Sequence, residues 1–214
     1  MLIFVGVGPG DPELMTLKAA RIIREAPAIA IPDTGLGDSA VLKIAGDLIG
    51  DKPLIRLYMP MRGTRAEWAE SHAEAVAELK KALDKYGTVA YPVLGDPSIY
   101  ATSSYLMRLL QPEYECEVIP GIPAMCAAAA QLKVPLCEQR ESLTVLDAFA
   151  DDDELPKSNA VVMKSGKRLN SLKEKCAERE AYAIRNCGMD HEWLGPLADI
   201  PEDGYSYFTT VIVK

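Results

Sequence analysis

The chain has 214 residues, of which 49% are hydrophobic, and a formal net charge of −8. A chain of this length can form one large domain or two small ones, and the composition is that of a packed protein rather than a disordered one. Dedicated nucleic-acid binders usually carry a basic field, and a membrane span needs roughly 18 consecutive apolar residues. The sequence has neither feature, so we expect no nucleic-acid or membrane partner.

The five cysteines are widely spaced and include no C-x-x-C pair. An odd number of cysteines at such spacings indicates reduced thiols rather than a disulfide framework. The N-terminal residues also lack the basic-then-apolar pattern of a secretory signal. These features predict a cytoplasmic protein.

The first half of the sequence alternates predicted strands with predicted helices. The strands are expected at 2–7, 28–31, 54–58 and 88–94, and the helices at 17–25, 40–49, 65–86 and 98–110. Thr16 and Ser39 are placed to cap two of these helices, and Thr64 with Glu67 has the spacing of a capping box. Strands that alternate with helices predict a largely parallel sheet.

The second half has fewer predicted helices. The proline-bearing segment 111–113 follows a complete strand–helix series, so we predict an N-terminal α/β domain at 1–111 and a C-terminal domain at 112–214. Beyond the boundary we expect one helix at 124–132 and strands at 116–119, 143–146, 160–163, 181–184 and 205–213. The last strand is rich in aromatic and β-branched residues and is predicted to pair antiparallel. The fold class is therefore α/β, with a mixed sheet in the second domain and a ligand cleft between the domains.

Three predicted strands end in unusual turns. Gly6, Gly8 and Gly10 follow the first strand, the 95–97 turn follows the fourth, and the 120–124 turn follows the strand at 116–119. Asp11 occupies the position where a phosphate-binding or dinucleotide-binding loop would need another residue type, which disfavours both of those sites. In open α/β sheets the carboxyl ends of the strands surround a crevice in which ligands bind. The three turns therefore predict a small-molecule site.

These turns, in this order, resemble those of the tetrapyrrole methylases. The matching residues are Gly6-Val7-Gly8-Pro9-Gly10-Asp11, Leu94-Gly95-Asp96-Pro97, Pro120-Gly121-Ile122-Pro123-Ala124 and Val162-Met163-Lys164. The resemblance covers essentially the whole chain. It departs from the family at Pro123, where serine or threonine is common, and in a short middle around 151–159.

Further segments resemble the family members that methylate C20 of precorrin-2 or of cobalt-factor II in cobalamin synthesis. They are Thr16-Leu17-Lys18-Ala19, Gly37-x-Ser39 with Ala45, Met59-Pro60-Met61, Ser98-Ile99-Tyr100, 127–136, Glu141-Ser142-Leu143, Gly188-Met189 and Tyr207-Phe208. The resemblance implies a homodimeric C-methyltransferase that uses S-adenosylmethionine and releases S-adenosylhomocysteine. Methyl transfer from a sulfonium requires no metal, so no metal site is expected.

The resemblance also implies which residues form the site. Those expected to contact the methyl donor are Pro9, Leu94, Gly95, Asp96, Ile99, Pro123, Ala124, Met163 and Gly188. The acceptor is an anionic tetrapyrrole, and arginine suits bidentate carboxylate binding. The cations considered for it are Arg56, Arg62, Arg65 and Arg168, together with Lys164.

A proton must leave the acceptor after the new carbon–carbon bond forms. The titratable candidates near the motifs are Asp96, Tyr100, Lys164 and Tyr207, and the sequence does not choose among them or exclude solvent. The two histidines, His72 and His191, lie outside the motifs and are not expected to be catalytic. Positioning contributes more than acid–base chemistry to such a transfer, up to roughly 7–11 kcal/mol.

Other functions stay open on the same scaffold. The methyl group could go to another macrocycle carbon, to a modified histidine of a translation factor or to ribosomal RNA, the last being disfavoured by the acidic charge. The chain could also be a small-molecule-binding protein without catalytic activity. Turnover would separate this last case from the others.

Overall fold

The computed structural model describes residues 1–35, 39–60, 63–201 and 206–214. The chain divides into two compact units, Met1–Ile122 and Pro123–Lys214. No helix in the described ranges is both long enough and apolar enough to cross a bilayer.

The first unit contains a five-stranded sheet with helices interleaved along the chain. Its strands are β1 (Leu2–Gly6), β2 (Ile29–Asp33), β3 (Leu54–Tyr58), β4 (Val89–Val93) and β5 (Cys116–Ile119). Its helices are α1 (Leu17–Glu25), α2 (Ala40–Ile49), α3 (Arg65–Tyr86) and α4 (Ser103–Leu110). The strand order is β3-β2-β4-β1-β5 and every neighbouring pair is parallel, which confirms the predicted parallel sheet.

The two compact units divide after Ile122, because strand β5 belongs to the first unit. We predicted the boundary after residue 111, which would assign 116–119 to the second domain. The strand instead pairs in parallel with β1, and Leu2 lies opposite Cys116. Because hydrogen bonds to β1 hold β5 in the first sheet, the compact unit continues to Ile122.

Both faces of the first sheet are buried, as parallel sheets require. On one face Leu2 and Phe4 pack in a cluster with Leu79 of α3. On the other face Ile3 and Val5 pack in a cluster with Ile23 of α1. The period-2 alternation of strand side chains therefore divides the apolar run of β1 between two cores.

Helix starts follow the capping signals in two cases. Thr16 Oγ1 accepts a hydrogen bond from Ala19 N at 3.1 Å, and α1 begins at the next residue. Thr64 N donates to Glu67 Oε2 at 2.6 Å while Glu67 N donates to Thr64 Oγ1 at 3.3 Å, so the predicted capping box is confirmed. Ser39 occupies the N-cap of α2 but makes no side-chain capping bond.

Helix α4 begins at Ser103, five residues later than the position predicted for it, residue 98. The preceding segment forms a turn in which Ser98 N donates to Asp96 Oδ1 at 2.7 Å. Tyr100 then adopts a left-handed backbone with φ of 47°, which a right-handed helix cannot include. The prediction at 98–102 was wrong because a side-chain hydrogen bond competes with the helix there.

The second unit contains a mixed five-stranded sheet. Its elements are α5 (Ala124–Leu132), β6 (Leu143–Leu146), β7 (Asn159–Val162), α6 (Leu169–Lys175), β8 (Ala181–Arg185), β9 (Trp193–Pro196) and β10 (Thr209–Val213). The strand order is β6-β7-β10-β8-β9, in which only β6 and β7 are parallel. The mixed sheet and the antiparallel last strand are confirmed, whereas α6 and β9 were not predicted.

Candidate functional site

Two turns of the first unit are joined by backbone hydrogen bonds. Gly95 N donates to Gly8 O at 2.7 Å, and Gly8 N donates to Gly95 O at 3.3 Å. Both glycines have left-handed φ angles, 82° at Gly8 and 71° at Gly95, which other residues adopt at a cost of roughly 1–2 kcal/mol. The turns after β1 and β4 therefore form one connected structure at the carboxyl edge of the sheet.

The third turn packs directly against the first two. A Cβ atom added to Gly121 would lie 2.2 Å from Gly95 O and 2.9 Å from the Cα of Gly6. A Cβ added to Gly6 would lie 2.5 Å from Gly121 N. These separations leave no room for any side chain, so the glycines are required by the contact of the turns with one another.

Asp96 links two of these turns through its carboxylate. The side chain is 8% exposed, and Oδ2 accepts a hydrogen bond from Gly121 N at 2.9 Å. Oδ1 accepts from Ser98 N at 2.7 Å and from the Ser98 hydroxyl. A carboxylate that accepts three bonds from the turns is well suited to fixing their geometry, and this is a different role from accepting a substrate proton.

The other predicted residues of the first unit differ in exposure. Pro9 is buried in the glycine turn, Leu94 and Ile99 are half-buried, and the left-handed Tyr100 is 48% exposed. Two of the predicted carboxylate-binding arginines are described in this unit, and both are exposed on different elements: Arg56 on β3 and Arg65 at the start of α3. Arg62, Gly37 and Met61 lie outside the described residues.

A second group of predicted residues meets at one edge of the second sheet. The parallel strands β6 and β7 end at this edge, which places Asp147 near Met163 and Lys164; Met163 N donates to Leu146 O at 2.8 Å. The Lys164 ammonium forms an ion pair with Asp147 Oδ1 and lies 5.8 Å from the centre of the Tyr207 ring. Two predicted proton-transfer candidates, Lys164 and Tyr207, are thus neighbours.

The environment of Lys164 favours its charged form. Burial of the side chain acts to lower its pKa, but the hydrogen bond to Asp147 and the interactions with Asp147 and Tyr207 outweigh burial and raise the pKa above the ordinary lysine value. Lys164 therefore carries a proton at neutral pH. A protonated lysine cannot accept another proton, so the geometry suits anion binding better than base catalysis.

The turn after β8 lies at the same edge because β8 is antiparallel to β10. Asn186 has a left-handed φ of 54°; its backbone N donates to Phe208 O at 2.9 Å and its Oδ1 accepts from Ser206 Oγ at 2.5 Å. Gly188 follows with φ of 69°, and its N–H donates to the Glu192 carboxylate. This segment positions the predicted donor contact Gly188.

Cys187 in the same turn has an unreactive thiol. Burial, followed by the charge of Glu192, raises its pKa to about 12. The reactive species of a cysteine is the thiolate, which such a pKa makes rare at neutral pH. We therefore assign Cys187 to packing.

The remaining predicted residues of the second unit lie on two other elements. Pro123 occupies the N-cap of α5 and Ala124 is its first residue; both are half-buried. Arg168 ends a 3-10 helix that begins at Ser165, and its guanidinium pairs with Asp151 Oδ2 at 2.8 Å. Arg168 is exposed but already has an anionic partner.

Sequence reasoning missed two residues that hold these edges together. Gly121 was noted only as part of a turn, although a glycine directly after a strand signals close backbone approach. Asp147 was missed, although a carboxylate directly after an apolar strand is a recognisable signal. Its pairing with Lys164 depends on the order of β6 and β7, which no local pattern specifies.

Comparison with known proteins identifies the family to which these turns belong. Residues 1–201 match the family model described as Tetrapyrrole (Corrin/Porphyrin) Methylases. The chain belongs to the tetrapyrrole methylase family. It is therefore a methyltransferase, as the motifs predicted.

Two relatives of this methylase match almost end to end. It is 30% identical to a probable cobalt-precorrin-2 C(20)-methyltransferase of Methanocaldococcus jannaschii, over 98% of the chain and 94% of the relative. It is also 30% identical to a precorrin-2 C(20)-methyltransferase of a Sinorhizobium species, over 99% of the chain and 94% of that relative.

The same fold occurs in a solved structure, that of uroporphyrin-III C-methyl transferase from Thermus thermophilus complexed with S-adenyl homocysteine. The TM-score is 0.66 at 19% identity, over 99% of the chain and 91% of the neighbour. This similarity confirms the tetrapyrrole-methylase-like α/β fold.

Proposed function

We propose that this methylase transfers a methyl group from S-adenosylmethionine to C20 of precorrin-2 or of its cobalt-containing counterpart. The observation that carries the proposal is the end-to-end similarity to two relatives that are both named for position C20, one with cobalt in its name and one without. The segments that suggested C20 in the sequence lie throughout the chain, which fits a match of this extent.

The described residues fit a methyl donor of this kind. The donor would supply a methyl group on a positively charged sulfur, next to a nucleoside and an amino acid. The glycine turns present backbone groups without side chains in front of them, which suits the polar parts of such a ligand. Half-buried apolar side chains of the first unit, namely Leu94 and Ile99, suit the nucleobase. Met163, half-buried in the second unit, stays a predicted donor contact. The complexed neighbour supports the choice of donor.

Asp96 and the glycines would contribute mainly by positioning. Transfer requires the acceptor carbon, the methyl group and the sulfur in line, and holding reactants in that geometry can contribute roughly 7–11 kcal/mol. The Gly6, Gly95 and Gly121 turns are fixed to one another by backbone contacts and by the Asp96 carboxylate. A fixed turn keeps its ligand contacts in register, so we infer that Asp96 acts on the donor through the turns.

The proton released from C20 would go to solvent, either directly or through a tyrosine hydroxyl that accepts it while giving its own proton to water. Asp96 already accepts three hydrogen bonds, and the surroundings of Lys164 keep it charged. Of the four residues predicted as candidates for proton transfer, Tyr100 and Tyr207 remain, and each is 48% exposed. The left-handed backbone of Tyr100 supports a functional role, because strained residues cluster at active sites.

The acceptor carries several carboxylates, which exposed cations would bind. Arg56, Arg65 and Arg168 are exposed, and the half-buried Lys164 carries a charge. We propose these residues, with Arg62 outside the described ranges, as the acceptor-binding set. We also propose that the protein is cytoplasmic and forms a homodimer. Light scattering of the purified protein tests the dimer by its molar mass.

The function is tested by anaerobic mass spectrometry. Two parallel reactions each contain the protein and S-adenosylmethionine. One also contains precorrin-2 and the other cobalt-sirohydrochlorin. We expect one added methyl unit on one of the two macrocycles, with nuclear magnetic resonance placing it at C20. Methylation at another carbon would contradict the assigned position, and tight binding of both ligands without turnover would favour a non-catalytic binding protein.

Tyrosine variants test the proton step. Tyr100→Phe and Tyr207→Phe each remove one hydroxyl while keeping the ring. If one tyrosine relays the proton to water, its variant should lose about 10²-fold or more in kcat with unchanged affinity for S-adenosylhomocysteine. Full activity in both variants would leave the proton to solvent.

A further inference from the structure

We propose that Asp147 is a displaceable counter-ion for Lys164, which it releases when a carboxylate of the acceptor binds. The inference rests on the proposed function and adds a residue that determines acceptor affinity. Four features of the second sheet support it: the position of the pair, its exposure, the neighbouring aromatic rings and the contrast with a second lysine–carboxylate pair.

The pair lies at the carboxyl ends of β6 and β7, the two parallel strands of this sheet. Asp147 directly follows β6, and Lys164 is the second residue after β7. Lys164 has a left-handed φ of 56°, an unfavourable conformation for a residue with a side chain. This backbone directs the ammonium toward Asp147 and the Tyr207 ring. Residues held in such conformations occur preferentially at functional sites.

The exposure of the pair allows one carboxylate to replace another. The Lys164 side chain is 25% exposed and the Asp147 side chain is 44% exposed. An incoming carboxylate can therefore reach the ammonium, and Asp147 can return to water without crossing the core. Lys164 keeps an anionic partner throughout, so no buried charge is left unpaired.

Two exposed aromatic rings beside the pair suit a flat acceptor. Tyr207 is 48% exposed and Phe208 is 38% exposed, and their ring centres are 5.4 Å apart. A conjugated macrocycle can pack on such rings while one of its carboxylates reaches Lys164. An ammonium next to an apolar surface matches the chemistry of a planar ligand with acidic side chains.

A second lysine–carboxylate ion pair in this unit has a carboxylate that further hydrogen bonds hold in place. Lys214 Nζ lies 3.3 Å from Glu141 Oε2, and the two side chains are 16% and 46% exposed. Glu141 also accepts hydrogen bonds from Glu138 N at 2.9 Å and from Asn159 Nδ2 at 2.7 Å. The pair lies at the opposite edge of the sheet, since Lys214 follows β10 and Glu141 precedes β6. It is therefore a matched structural control.

The test compares Asp147→Asn with Glu141→Gln. Both variants remove one negative charge from a lysine pair in the same unit. Affinity for cobalt-sirohydrochlorin is measured by absorbance titration, and affinity for S-adenosylhomocysteine by calorimetry. We expect Asp147→Asn to bind the tetrapyrrole about fivefold more tightly, because the competing carboxylate is gone. Glu141→Gln should leave that affinity unchanged, and neither variant should alter S-adenosylhomocysteine binding.

Lys164→Met provides the second half of the test. This variant should bind the tetrapyrrole more weakly than the wild-type protein. Adding Asp147→Asn to it should not change the affinity further, because the tighter binding expected of Asp147→Asn requires the Lys164 ammonium. Unchanged or weaker tetrapyrrole binding by Asp147→Asn would overturn the displacement role if the wild-type protein binds and methylates the tetrapyrrole. If the wild-type protein binds no tetrapyrrole, the proposed function fails and this inference fails with it.

Discussion

The edge of the first sheet that holds the glycine turns and the edge of the second sheet around Lys164 are built by different means. The first consists of backbone packed against backbone, with the Gly6 and Gly121 turns so close that neither position has space for a Cβ atom. The second also has one backbone contact of this kind, where a Cβ atom added to Gly166 would lie 2.1 Å from Ser206 O, but it adds side-chain contacts, namely the Lys164–Asp147 ion pair and the Asn186–Ser206 hydrogen bond. The glycine contacts should tolerate no substitution, whereas the side-chain contacts of the second edge should tolerate conservative ones.

The largest effect is expected at the glycine contact. In Gly121→Ala the new Cβ would lie 2.2 Å from Gly95 O, so the backbone must move. Overpacking of this kind should cost about 3 kcal/mol of stability, measured by urea unfolding. The control is Gly46→Ala within α2, where no atom lies within 4 Å of the new Cβ. It should raise stability by about 0.5–1 kcal/mol, and equal losses in both variants would contradict the proposed difference between the edges.

A smaller effect is expected when the carboxylate between the turns is changed. Asp96→Asn keeps the side-chain shape but loses one of the two acceptor oxygens used by Ser98 and Gly121. We expect a loss of about 1–3 kcal/mol in stability and weaker binding of S-adenosylhomocysteine, measured by calorimetry. The control is Asp153→Asn, whose carboxylate accepts one hydrogen bond from Ala150 N on the exposed surface. Wild-type ligand affinity in Asp96→Asn would argue against positioning through the turns.

At the second edge, two variants of Asn186 distinguish the cost of its left-handed backbone from the contribution of its side-chain hydrogen bond. Asn186→Ala loses the bond with Ser206 and keeps a left-handed φ of 54°, whereas Asn186→Gly loses the same bond without the conformational cost. Glycine should therefore be about 1 kcal/mol more stable than alanine at this position, measured by thermal unfolding. Equal stabilities would mean that the turn relaxes when the side chain is removed.

The smallest effect concerns the pH dependence of the Lys164 pair. The folded protein raises the pKa of Lys164, so its charged form stabilises the fold below the ordinary lysine pKa. That contribution is lost as pH rises through the raised value. The stability advantage of the wild-type protein over Lys164→Met should be less than about 1 kcal/mol at neutral pH and should shrink as pH rises above the ordinary lysine pKa. An advantage that grows at alkaline pH would contradict the assigned direction.

Local patterns predicted much of the fold because local interactions determine it. The capping box at Thr64 and Glu67 and the cap at Thr16 fix helix starts through bonds that span three residues. The parallel sheet followed from the alternation of strands and helices. The start of α4 was missed because Asp96, two residues before the predicted start at residue 98, accepts a hydrogen bond from Ser98 that competes with the helix.

The turns of the candidate site were predicted for the same reason. The turns at Gly8, Gly95 and Gly121 were recognisable because each follows a strand directly. Which turns contact each other could not be read from the sequence, because the contact depends on β1 lying between β4 and β5. The partner of Lys164 was missed because Asp147 is distant in sequence and near only in the sheet.

The sequence by itself determined the positions of the turns, the α/β class and the family, since these depend on ordered motifs and short-range periodicity. Only the tertiary structure decided that β5 belongs to the first sheet, that Gly6 and Gly121 meet without room for a side chain, and that Lys164 is paired with Asp147. The physical reason is that strand order brings together residues far apart in the chain, and the charge and packing of each depend on those neighbours.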